Sequence, residues 1–282
     1  MVVISDKSQC FGCTACVNAC PVQCIVMRRD REEGFDYPVA NPDICIGCGK
    51  CISVCPAIEP APSYDVTETY EDLLDLAKVV LDEGGVVFGP VMEDDMRVGH
   101  AEAGSVQEVY RMFTSPLVQS DLYSVFEDIR LYLESSRKVL FAGTPCQAAG
   151  LKKYLGPCRE GLLIAATACN GVTGPGLWEM YVKAMEKRNG SFDAGRLHND
   201  KNDPYMVLFR EGIALRPSCY RCTARGGNCG EIRLTEPVPM PERRDEFFAG
   251  LNVAGVDVYK HMKSYAAMRP LDKCLEFLRR IL

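Results

Sequence analysis

Two stretches of the chain repeat one another cysteine for cysteine: Cys10-Phe-Gly-Cys13-Thr-Ala-Cys16-Val-Asn-Ala-Cys20-Pro21 and Cys45-Ile-Gly-Cys48-Gly-Lys-Cys51-Ile-Ser-Val-Cys55-Pro56. Three cysteines at steps of three, a fourth four residues on and a closing proline form the ligand run of a pair of 4Fe-4S clusters. In that run a tight loop wraps three thiolates around one cluster, and the fourth cysteine, on the short helix that follows, reaches across to the other. The expected ligand sets are therefore Cys10, Cys13, Cys16 and Cys55 for the first cluster, and Cys45, Cys48, Cys51 and Cys20 for the second. Zinc also accepts four thiolates from Cys-x-x-Cys pairs, but it asks for no third cysteine three residues later. Gly12 and Gly47 fall where backbone passes close to a cluster and can offer amides to its sulfurs. Cys24 falls outside the run and reads as a small buried apolar residue beside the clusters. Residues 25–39 read as a hairpin with a polar, Gly-containing tip that covers the clusters from solvent.

Composition narrows the setting. The chain begins MVVISDKSQC, with no basic start followed by an apolar stretch, so its 16 cysteines read as metal ligands or reactive thiols rather than disulfides. A cytoplasmic location is expected, and no apolar run approaches the length of a membrane span. The 32 basic and 38 acidic residues include no long run of either sign, which argues against nucleic acid or an anionic membrane as partner. A redox partner protein, a larger oxidoreductase complex or a small substrate fits better. At 282 residues the chain has room for a small and a medium domain.

The expected division is an α+β ferredoxin-like module over residues 1–60, an α/β domain over 64–240 and a helical tail over 241–282, with a Pro- and Ala-rich linker at 57–63. In the second domain, apolar residues at helical spacing run over 68–81 and stop at Gly84-Gly85. Strands are expected at 85–89, 96–102, 138–142 and 162–166, and helices at 121–135, 147–155 and 176–187. That alternation predicts a largely parallel sheet. Residues 205–215 read as an added hairpin turning at Glu211-Gly212. Cys146 and Cys169 each follow a strand, where helix N-termini stabilise thiolates or bind phosphate, so each loop suits a cluster, a reactive thiol or a nucleotide; a packed, inert cysteine is the plain alternative. Cys219-Tyr-Arg-Cys222, with Cys229 close behind, suits zinc, a redox disulfide or part of a cluster. His100, His198 and His261 are isolated and read as structural or solvent-facing.

From Gly84 to Cys222 the chain resembles the coenzyme F-420 hydrogenase/dehydrogenase beta-subunit family, whose members often carry an N-terminal two-cluster ferredoxin domain. The likeness rests on Gly85-Val-Val-Phe-Gly-Pro90, Val118-Gln-Ser120, Val139-Leu-Phe-Ala-Gly-Thr-Pro-Cys-Gln-Ala-Ala-Gly-Leu151, Cys169-Asn-Gly-Val172 and Ser218-Cys-Tyr-Arg-Cys222. It implies FAD, iron–sulfur clusters and electron exchange with a deazaflavin or another redox partner. FAD is then expected at the strand ends near Gly143, Thr144 and Gln147. A third cluster is expected on Cys146, Cys169, Cys219 and Cys222, which resemble the family's recurring cysteines; Cys229 is in reserve, and Cys158 and Cys274 read as structural. The chain departs from the family at Ser115-Pro-Leu-Val-Gln-Ser120, which lacks a lysine, at Asn170, where a histidine is usual, and at Gly230-Glu-Ile-Arg-Leu-Thr-Glu-Pro237, where an acidic strand is usual. Two main functions follow. The leading one is an oxidoreductase in which a flavin converts between paired and single electrons. The other is a flavin-free carrier or adaptor subunit that serves a separate enzyme. A thiol-based reductive site around Cys146 and Cys222 ranks behind both.

Overall fold

The computed structural model describes residues 1–60, 68–70, 73–113, 117–156, 160–167, 169–190, 203–210, 212–224 and 232–234. The expected tail over 241–282 lies outside them, as do Cys158, Cys229, Cys274, His198 and His261.

The duplication in sequence is a duplication in backbone. Gly12 and Gly47 adopt the left-handed region at φ +67° and +69°, and each is followed by a second left-handed residue, Thr14 at +57° or Gly49 at +75°. Glycine reaches that region without steric cost, which lets the loop curl tightly enough to aim successive cysteines inward. Each loop then opens a one-turn helix, α1 (Ala15–Asn18) or α2 (Lys50–Ser53). Between the repeats, β1 (Ile25–Arg29) and β2 (Asp36–Ala40) pair antiparallel from Ile25 opposite Ala40 to Arg29 opposite Asp36. Phe35 and Tyr37 from this hairpin pack on Cys10, and Ile25 packs beside Cys24 and Cys51.

The second unit comprises β3 (Glu68–Tyr70), α3 (Leu73–Asp82), β4 (Val86–Met92), β5 (Val98–Ala103), α4 (Val106–Val109), α5 (Val125–Glu134), β6 (Val139–Gly143), α6 (Pro145–Leu155), β7 (Leu162–Thr167), α7 (Pro175–Asn189), α8 (Pro204–Arg210) and β8 (Ile232–Leu234). The strands form one sheet in the order β3-β8-β7-β6-β4-β5, parallel throughout except for the β4–β5 pair. Alternate residues of the central strands serve opposite faces, as a period of two requires. Val86, Phe88, Val139, Phe141 and Ile164 meet α5 and α6, while Val87, Leu140, Ala142 and Ala165 meet α3 and α4. Helices on both sides leave the centre without a wet face, so β6 is apolar along its whole length. A third core gathers Trp178, Tyr181 and Val182 of α7 with Tyr205, Met206, Val207 and Leu208 of α8.

Two expectations are corrected. The helix expected over 68–81 begins only at Leu73; Glu68–Tyr70 is strand β3, parallel to β8. Thr and Tyr favour strand, and the apolar spacing that signals helix starts after them. Residues 205–215 hold no hairpin: Pro204–Arg210 is helix α8. Asp203 caps it, its Oδ1 accepting from the Tyr205 amide at 2.8 Å, and proline takes the first helical position. The helix ends as Gly212, at φ +64°, donates to the Phe209 carbonyl at 3.0 Å. His100 is buried and stacks on Phe141, with Nε2 placed 2.9 Å from the Ala142 carbonyl. Burial pushes its pKa down to about 4, so it is neutral at neutral pH and serves as packing.

Candidate metal centres

A cavity at the edge of the N-terminal unit is lined by Cys20, Cys45, Cys48 and Cys51, together with Cys24, Ile46 and Gly49. The first three cysteines of the second run thus share a space with the last cysteine of the first run. Cys24 packs at its wall, with its amide 3.3 Å and its Sγ 3.4 Å from the Cys20 sulfur. Cys48 is exposed, so this cavity faces solvent.

The other set lies inside. Cys10 and Cys13 are each only 8% exposed. Burial pushes the Cys16 thiol up to about 12, and the neighbouring sulfurs of Cys10, Cys55 and Cys51 add to the shift. Burial likewise pushes the Cys13 thiol well up, with Cys16, Cys146 and Cys10 close by. Cys16 therefore stands among sulfurs of both runs, Cys55 included. Cys13 and Ala15 belong to the same apolar core as Phe126, Phe141 and Leu151, so the inner cysteine loop is built into the second unit.

Side chains of the second unit hold that loop. The Gln119 side-chain amide donates to the carbonyls of Phe11 at 2.9 Å and Gly12 at 3.2 Å. Arg216 donates through Nε to the Cys10 carbonyl at 2.7 Å and through Nη1 to Gln119 Oε1 at 2.6 Å. At the hairpin, the Gly176 amide donates to the Gly34 carbonyl at 2.9 Å, and Arg29 pairs with Glu179 at 3.0 Å.

Cys146, Cys169, Cys219 and Cys222 lie near one another. In β6 and β7, Gly143 is in register with Ala166, so Cys146 and Cys169 emerge side by side from the same end of the sheet. Cys219 and Cys222 sit on and just after the 3-10 turn Pro217–Arg221. A bridge between Thr173 and Leu215 ties that turn to the Cys169 loop, reinforced by the Arg216 amide donating to the Val172 carbonyl at 3.0 Å. Burial pushes the Cys146 thiol up, with Cys169, Cys219 and Cys222 all near enough to contribute. Helix α6 joins this group to the inner cysteine loop: a Cβ on Gly150 would lie 2.9 Å from the Cys13 sulfur. Gly150→Val is expected to lower the iron bound by the inner set and to cost about 1–3 kcal/mol of stability through overpacking. Iron analysis and thermal unfolding check this; a fully loaded variant of unchanged stability would show that the helix has room there.

Among the described residues, no three His, Cys, Asp or Glu side chains close around a single metal ion. A 4Fe-4S cluster is a cube rather than one ion, and its thiolates stand correspondingly farther apart. Sulfur-only donor sets of this breadth fit clusters.

The expected flavin cradle is differently arranged. Gln147 is 2% exposed, and its Oε1 accepts from the Thr144 amide and hydroxyl, each at 3.0 Å, while its Nε2 donates to Ser120 Oγ at 3.0 Å. The face that Gly143 leaves open is filled by the Phe141 ring, 2.8 Å from where a Cβ would stand. These residues close the strand end with their own side chains. Arg216 had no signal in the sequence; Gln119 stood in it only as part of Val118-Gln-Ser120.

Residues 9–57, which contain both cysteine runs, match the 4Fe-4S dicluster domain. The N-terminal module is an iron–sulfur ferredoxin unit. A second 4Fe-4S dicluster match covers residues 37–83 and shares the second run with the first. Both matches end before Gly84, where the likeness to the F-420 family begins, so that likeness is carried by the sequence alone. No curated protein matches the chain. Among the described residues no helix is long and apolar enough to cross a membrane.

Proposed function

We propose that the chain is a flavin-free iron–sulfur carrier that moves single electrons along a row of three 4Fe-4S clusters, between a redox partner protein and a separate oxidoreductase. The outer cluster takes Cys20, Cys45, Cys48 and Cys51; the inner one takes Cys10, Cys13, Cys16 and Cys55; the third takes Cys146, Cys169, Cys219 and Cys222. This reading is supported above all by the nearness of Cys169, Cys219 and Cys222 to Cys146, on whose helix Gly150 lies against Cys13. Clusters held by these three cysteine sets would supply one-electron chemistry between the surface and the α/β unit.

The outer cavity suits the docking end. Cys48 is exposed there, and Ile46 beside it is 64% exposed, giving an apolar collar of the kind a transient protein contact uses. The likeness to the F-420 family favours a flavin in addition, but the filled space at Gly143 and Gln147 favours the carrier.

Anaerobic purification followed by iron, sulfide and flavin analysis and stepwise photoreduction tests this reading. The expected protein carries clusters that reduce one electron at a time and no flavin. Stoichiometric flavin would replace the carrier with the flavin enzyme, and clusters that cannot be reduced would end both readings.

A further inference from the structure

We infer that Arg216 is the counter-charge of the inner cluster and sets its reduction potential above that of the outer one. The inference rests on the inner ligand set proposed above.

Arg216 is 1% exposed, and among the described residues every partner of its guanidinium is neutral. The Cys10 carbonyl, the Gln119 amide oxygen and the Asp36 carbonyl accept its protons at 2.7, 2.6 and 3.0 Å. Its charge lies over the rings of Tyr37 and Phe35, 4.4 and 5.2 Å from their centroids. The nearest carboxylate in sequence to these contacts, that of Asp36, is turned away to Arg29. A buried cation without an anion is costly, and proteins avoid it. The fork resolves the cost by pointing at a ligand: Nη2 stands 3.5 Å from the Cys10 sulfur.

Four thiolates around a 4Fe-4S core leave a net negative charge, which grows by one on reduction. A fixed cation at a ligand sulfur, in a site shielded from water, stabilises the reduced form more than the oxidised form. Hydrogen bonding to the sulfur acts in the same direction. The outer cavity has no arginine or lysine in its lining, so its cluster lacks the fixed cation, although the Cys24 amide stands 3.3 Å from the Cys20 sulfur. Arg216 is thus a positioning and tuning residue: it touches a ligand, clamps the loop that carries it and makes the inner cluster the lower-energy stop for an electron.

The experiment is a potentiometric titration of the anaerobic full-length protein followed by electron paramagnetic resonance, comparing wild type with Arg216→Gln and Arg216→Lys. In the Gln variant the inner cluster's reduction constant should fall at least tenfold, a midpoint shift of about 59 mV to more negative values for one electron. The outer midpoint should not move. The Lys variant, which keeps the charge and loses the fork, should shift less. A fully loaded Gln variant with wild-type midpoints overturns the inference, as does a Lys variant shifted as far as Gln. Where the Gln variant loads poorly, thermal unfolding decides. Without iron the charge is uncompensated, so Arg216→Gln should leave the melting temperature of the iron-free protein unchanged or raise it; a lower one overturns the inference. Wild-type protein without the inner cluster would instead refute the proposed function.

Discussion

Cys20→Ala is expected to strip iron from the second cysteine run, not from the run in which Cys20 lies. The sulfur of Cys20 lines one cavity with Cys45, Cys48 and Cys51, whereas Cys16 of its own run stands with Cys10 and Cys55. Removing one thiolate of four leaves an open coordination position in a site exposed at Cys48, so the whole outer cluster should be lost, about four iron atoms per chain. Because metal binding is part of folding in such units, the loop around Cys45 should also loosen. Pairing the substitutions reads out the crossing. Cys20→Ala combined with Cys48→Ala should cost no more iron than either alone, since both act on one cluster, while Cys20→Ala combined with Cys13→Ala should cost about twice as much. Additive loss in the first pair and non-additive loss in the second would refute the crossed ligation.

The Cys219→Ala, Cys222→Ala double variant should lower iron from about twelve atoms per chain to about eight and leave the spectrum of the N-terminal pair unchanged. The four thiols concerned are carried by neighbouring elements. Two leave adjacent parallel strands, and the 3-10 turn carrying the others is tied down by the Thr173–Leu215 bridge and the Arg216 amide. Burial holds the Cys146 thiol protonated, with three further sulfurs beside it, until positive iron reverses that preference. Wild-type protein that stops at about eight iron atoms after reconstitution, with the double variant keeping all of them, would leave these cysteines as packed thiols.

What could be read in advance follows from how local each signal is. The two cysteine runs and the hairpin between them depend on spacings within a few residues, and the backbone repeats the sequence repeat down to Gly12 and Gly47. The α/β alternation was legible because β4, β6 and β7 are short and almost wholly apolar. Helix α8 was not: Tyr205 to Phe209 are buried in succession, so neither the period of two nor that of 3.6 survives in that stretch. Strand β3 was hidden because its partner β8 lies some 160 residues on, and strand pairing over that distance leaves no local mark. Arg216 was illegible for the same reason, its partners at Cys10 and Gln119 lying 206 and 97 positions away. Gln147 was visible, but its role was not, because a helix start can hold a ligand or simply cap itself.

The glycines at the seam determine whether the ferredoxin unit can be exchanged. A Cβ on Gly12 would stand 2.8 Å from the Arg216 guanidinium carbon, and one on Gly176 would stand 2.9 Å from the Gly34 Cα. A foreign two-cluster ferredoxin with all eight cysteines in place would still fail to seat unless it carried glycine where Gly12 stands and kept its hairpin tip as slim as Gly34. Cluster ligation alone is therefore too weak a criterion for choosing a donor. The interchangeable part is the ferredoxin together with the α/β surface it was fitted to, including Gln119, Gly150, Gly176 and Arg216.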